Sequence, residues 1–121
     1  MIEKRVVLSQ IEVQPDGTIQ VRLEKQVVED DVVLSREYHR TVITPLTKVD
    51  SQFAAVNSHL AEMGWPPVDQ AAVARLRKIA GVEHTPGVKK MHRERIEAAD
   101  KAQREEEERQ AAILAEQQAV T

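Results

Sequence analysis

Apolar and polar residues alternate through the first third of the chain. Val7, Ile11 and Val13 recur at even spacings, and after Pro15-Asp16-Gly17-Thr18 the pattern resumes at Ile19, Val21 and Leu23. An even spacing is the signature of a strand with one buried face. Asp-Gly between two such runs predicts a hairpin. A second acidic turn, Glu29-Asp30-Asp31, precedes Val32, Val33 and Leu34, followed by a stretch rich in β-branched residues that ends at Thr44-Pro45. Residues 1–45 are therefore expected to form a three-stranded antiparallel meander. Such a sheet buries one face and leaves the other, with two strand edges, to water or to a partner. Those edges either accept a strand from another chain or are protected by their charges.

The period then changes. Phe53, Val56, Leu60 and Met63 are spaced by three and four, which predicts a helix capped by Asp50 or Ser51 and ended by Gly64. This helix is the natural cover for the apolar face of the sheet. Trp65-Pro66-Pro67 forces an extended connection, because proline blocks helix continuation and restricts its predecessor, and Trp65 is expected to anchor the packing between helices. A second helix, capped by Asp69 and carrying Val73, Leu76 and Ile79, is expected to run through Ala80 and stop at Gly81. Residues 46–87 thus hold two short helices packed on the sheet.

From Lys89 to Thr121 the chain reads as one long helix. Its middle, Gln103-Arg104-Glu105-Glu106-Glu107-Glu108-Arg109-Gln110, has no apolar residue to bury, so residues 88–121 are expected to protrude as a charged helix that stands in solvent, pairs with copies of itself or lies on another protein. Seven oppositely charged pairs four apart, from Lys90/Glu94 to Glu105/Arg109, would support it at about 0.2–0.5 kcal/mol each. The best coiled-coil seam, Val88, Met91, Arg95, Ala98, Ala102, Glu105, Arg109, Ala112, Glu116 and Ala119, is charged at four of its positions and is weak. Apolar character returns at Ala111-Ala112-Ile113-Leu114-Ala115. Ile113 and Leu114 are the leading candidate anchors for a partner, with Met91 and Ile96 beside them.

Composition narrows the chemistry. The 121 residues include one Phe, one Trp and one Tyr, so the core must be built from Val, Ile and Leu, and the absence of cysteine removes disulfides, thiolate zinc sites and cysteine nucleophiles. Residues 1–44 carry a net charge of −2, residues 45–87 of 0 and residues 88–121 of −1. That balance argues against a dedicated nucleic-acid-binding domain, although Arg75, Arg77 and Lys78 on the second of two consecutive helices invite comparison with a helix-turn-helix. The Gly64–Val68 connection is longer and stiffer than the usual turn of that motif. Met1 to Ser9 mixes Glu3, Lys4 and Arg5 rather than presenting a basic start and an apolar run, so neither a secretory leader nor a membrane span is expected.

No enzymatic constellation stands out. His39, His59, His84 and His92 fall on four different elements without ligand spacing and are expected to be unrelated surface or boundary residues. Tyr38, His39 and Arg40 are consecutive on a strand, so their side chains point to alternate faces. There is no glycine-rich phosphate loop. Neither a catalytic role nor a cofactor is expected, and the basic cluster Lys89-Lys90-Met91-His92-Arg93-Glu94-Arg95 is read as pairing within its own helix.

Three stretches carry a resemblance: Asp16-Gly17-Thr18-Ile19-Gln20-Val21-Arg22, then Glu37-Tyr38-His39-Arg40-Thr41-Val42-Ile43-Thr44-Pro45, then Val56-Asn57-Ser58-His59-Leu60 through Met63-Gly64-Trp65-Pro66. Over roughly residues 2–68 the chain resembles small proteins encoded in the tail gene clusters of tailed bacteriophages. The resemblance implies a structural adaptor of the phage particle, at the tail or tail tip, present in multiple copies and in contact with other virion proteins. It would be located in the virion, and in the host cytoplasm during assembly. An assembly chaperone for a tail or fibre protein is the alternative within that setting, and a small DNA-binding regulator is the alternative outside it. The expected fold is α+β: the meander, one or two short helices on it, and the charged C-terminal helix.

Overall fold

The computed structural model describes residues 1–119. Three strands, β1 (Ile2–Val13), β2 (Ile19–Glu29) and β3 (Val32–Ile43), precede three helices, α1 (Val49–Glu62), α2 (Gln70–Glu83) and α3 (Pro86–Ala119). The strands form one antiparallel sheet in the order β1-β2-β3. The fold is the expected α+β arrangement, with strands longer than the apolar alternation alone marks.

The two turns divide the signals differently from the expectation. Pro15-Asp16-Gly17 is a wider turn: Gly17 N–H donates to the Gln14 carbonyl (2.9 Å), Asp16 Oδ1 accepts from Thr18 N–H (2.9 Å) and Gly17 sits at φ +88°. This is the three-residue hairpin loop that needs a left-handed residue at its end. The tight two-residue turn is Asp30-Asp31, with both residues at positive φ (+48° and +65°), a conformation aspartate tolerates better than most side chains.

The first compact unit spans Met1–Lys89. Val6, Ile19, Val21, Leu23 and Ile43 of the sheet form one buried cluster with Val49, Phe53, Val56 and Leu60 of α1, Val68 of the connection, and Val73, Leu76 and Ala80 of α2. Helix α1 is thus the cover the spacing predicts. Its start differs: Lys48 is the N-cap and no side chain caps it. Asp50 lies inside the first turn, where its charge complements the helix dipole, and it pairs with Arg77 Nε at 3.0 Å. Its end is as expected, because Gly64 (φ +81°) and Trp65 donate their N–H groups back to Ala61 and Leu60 at 3.1 and 2.9 Å, closing the last turn. Asn57 Oδ1 then accepts from Val68 N–H (2.9 Å) and ties the proline-bearing connection to α1.

Asp69 caps α2 as predicted, accepting from Ala71 N–H at 3.1 Å. The helix does not stop at Gly81. It continues to Glu83 and ends at His84, since a helical glycine costs only about 1 kcal/mol and the fixed point is His84, whose ring is held by the first hairpin. Helix α3 likewise begins at Pro86, a favoured first helical residue, three positions before Lys89. The second unit starts at Lys90 and contains only α3. Of the expected tail helix, Val120 and Thr121 lie outside the described residues.

Candidate interaction surfaces

The two faces of the sheet have different chemistry. Thr41 faces α1, where its Oγ1 accepts from Gln52 Nε2 at 2.7 Å, and it pairs in register with the buried Val21. The alternate positions therefore form the uncovered face. In its middle, Glu24 Oε1 accepts from Arg36 Nε (2.8 Å) and Gln26 Nε2 (3.1 Å), while Gln26 Oε1 accepts from Arg5 Nε (2.6 Å). That chain of contacts crosses all three strands: the Glu24 carboxylate pairs with the Arg36 guanidinium, and Arg5 joins it through the Gln26 amide.

Nearer the first hairpin the same face is not neutralised. Arg22 and Arg40 are directly opposite in the β2–β3 register and, with Gln10, Glu12, Gln20 and Val42, line a shallow depression of about 330 Å³. The Arg22 guanidinium lies 4.4 Å from the centre of the Tyr38 ring, and its NH2 donates to Ser9 Oγ at 3.2 Å. Its Nε is shielded from solvent and has no hydrogen-bond acceptor. Ser9 occupies the bulge in β1 between Leu8 and Gln10, so an irregularity of strand pairing presents its hydroxyl to Arg22. As predicted, Tyr38 and Arg40 do not converge with His39, which faces the other side.

On the helix-covered face a second cluster forms. His39 of β3 and His59 of α1 have ring centroids 5.6 Å apart, which corrects the expectation that the histidines are unrelated. Lys4 Nζ and Lys25 Nζ lie 5.2 and 5.6 Å from the Trp65 ring, and Lys25 also pairs with Glu37 at 3.3 Å. Trp65 therefore anchors α1 to charged stems on the sheet as well as to the apolar core it packs against. Burial first, then His59 and Lys25, holds the His39 imidazole below its usual pKa of 6.5. His84 is buried rather than a surface residue.

The predicted anchors lie on α3, where no described residue is buried. Met91, Ile96, Ile113 and Leu114 are all exposed, at 44–57 %. Ile96 and Leu114 are five helical turns apart and share one azimuth about 27 Å along the axis, while Met91 and Ile113 lie about 100–140° round the helix from it. The expected ladder of ion pairs is rearranged: Arg109 pairs with Glu106 (3.0 Å) rather than Glu105, Arg104 Nε turns to the Asp100 carbonyl (3.5 Å), and Gln103 and Gln110 donate to Glu107 and Glu106. Among α2's basic residues, Arg77 is tied to Asp50. No helix among the described residues is long and apolar enough to cross a membrane.

Sequence reasoning missed the Arg22–Arg40 and His39–His59 pairings, because neither is local. The alternation places Arg22 and Arg40 on the polar side of their strands, but only the register makes them neighbours. No protein-family model, curated protein or solved structure matches the chain.

Proposed function

We propose that the protein is a non-enzymatic adaptor of a bacteriophage particle, associated with the tail or its tip, that contacts other virion proteins through the open side of its sheet domain and through α3. The observation that carries this reading is α3 itself: 34 helical residues with none buried, displaying four large apolar side chains. Exposed apolar side chains on a helix that buries nothing are suited to docking in a partner's groove. The phage setting rests on the three stretches around Asp16-Gly17, Tyr38-His39-Arg40 and Gly64-Trp65-Pro66, and multiple copies around a symmetric tail suit so small a chain.

Quantitative mass spectrometry of purified virions tests the reading. A copy number in fixed ratio to the major tail proteins supports the adaptor. Absence from the particle together with abundance in infected cells overturns it in favour of an assembly chaperone.

A further inference from the structure

The uncovered sheet face contains two arginines that oppose each other without a counter-charge. Directly opposed like charges destabilise a strand pair, whereas two residues further along the same face Glu24 pairs with Arg36. Arg22 is also held in place: Tyr38 stacks on it, Ser9 accepts from its NH2, and the solvent-shielded Nε–H is left with no acceptor. Glu12 lines the same depression but closes no ion pair with either arginine among the described residues. A fixed, partly desolvated guanidinium beside a second free one is a receptor for carboxylates.

Helix α3 contains the matching groups. Glu106 and Glu107 are engaged by Arg109, Gln110 and Gln103, while Glu105 and Glu108, on one side of the helix, close no ion pair among the described residues. Residues three apart on a helix have Cβ atoms about 5–6 Å apart, and directly opposed strand residues about 4.5–5.5 Å, so the two pairs have the same span. We propose that Arg22 and Arg40 bind Glu105 and Glu108 of a second copy of this chain. The contact joins two different surfaces, so it is heterologous and propagates into a ring or a filament. It rests on the reading of the protein as an assembly component and names one of its partners as itself.

Charge pairs at a solvent-exposed surface are screened by salt, so the association is salt-sensitive. Sedimentation equilibrium of the full chain up to about 1 mM, a concentration that detects a contact of roughly 4 kcal/mol, should show mass above the monomer in about 0.01 M salt and loss of it in about 1 M salt. Arg22→Glu/Arg40→Glu and Glu105→Arg/Glu108→Arg should each abolish the association, and mixing the two variants should restore it as a mixed species. Arg40→Glu alone, at a side chain with no ion-pair partner among the described residues, provides the same test if the double change at the sheet unfolds the domain. A chain that stays monomeric in low salt, or an association that survives the reversals, overturns the proposal. Virion stoichiometry is independent of this result, so a monomeric chain found in the particle would sink self-association and leave the adaptor standing.

Discussion

His84 Nε2 lies 2.7 Å from the Gly17 carbonyl oxygen, joining the end of α2 to the first hairpin turn across 67 positions of sequence. A carbonyl only accepts, so Nε2 is the protonated nitrogen. His84 is buried, and its removal leaves that carbonyl without its partner. His84→Ala is expected to destabilise the Met1–Lys89 unit by about 1–3 kcal/mol, measured as a shift of the urea midpoint with unchanged slope. A midpoint within experimental scatter of the wild type would show that water replaces the imidazole there.

Gly17 is constrained twice. Its φ of +88° disfavours any side chain, and a Cβ built on it would lie 2.7 Å from Val88 Cγ1. Gly17→Ala should cost more than the roughly 1 kcal/mol of a left-handed alanine alone. Val88→Ala in the same background should recover part of the loss, which thermal unfolding of the single and double variants would reveal.

The His39 imidazole makes stability depend on pH. Burial, then His59, then Lys25 lower its proton affinity in the folded state, so the unfolded chain takes up the proton first as pH falls. Stability is therefore greatest above 6.5, declines as pH drops below it, and levels once the histidine is protonated in both states. The charged and titratable groups around it are His59 on α1 and Lys25 on β2, the latter paired with Glu37 and set against the Trp65 ring. His39→Gln should flatten the decline below pH 6.5, read from urea midpoints followed by the fluorescence of Trp65, the single tryptophan of the chain. An equally steep decline in the variant would assign the titration elsewhere.

The elements themselves were legible because they rest on local patterns. Even spacing marks two strands, although the bulge at Ser9 puts Val7 opposite Glu24 on the uncovered face and Val6, not Val7, in the core; the spacing of Phe53, Val56 and Leu60 marks α1, and Asp69 and Gly64 mark helix ends by the hydrogen bonds they make. What was illegible depends on contacts distant in sequence. Bulges at Ser9 and opposite Val27/Val28 set the register, and with it which arginines and histidines meet. Helix α2 outlasts Gly81 because His84 is held by Gly17, which no local signal encodes. Helix α1 begins without a side-chain cap because its N-cap is Lys48, whose ammonium cannot accept a hydrogen bond, while Asp50 lies inside the first turn and pairs with Arg77.

Leu60 is completely buried between α1 and the sheet, and its carbonyl accepts from Trp65 N–H. Leu60→Ala is expected to cost about 2–5 kcal/mol. A domain of this length has roughly 5–13 kcal/mol in total, so the variant should melt far below the wild type in calorimetry. Met63→Ser, at the exposed end of the same helix, should shift the melting point little.

Ile113 and Leu114 are neighbours in sequence but lie about 100° apart around α3, each about half exposed. Changing both to serine removes no buried contact, so helical circular dichroism and the stability of the Met1–Lys89 unit should stay within about 0.5 kcal/mol of the wild type. If these side chains dock in a groove of a virion partner, burying them there contributes about 1.5–3 kcal/mol each, and losing both should weaken capture by at least a hundredfold. Incorporation of the double variant into particles, measured against wild-type protein in the same infection, gives the answer. Equal incorporation would move the partner contact off this part of α3, and selective loss would place it there without any change in the fold.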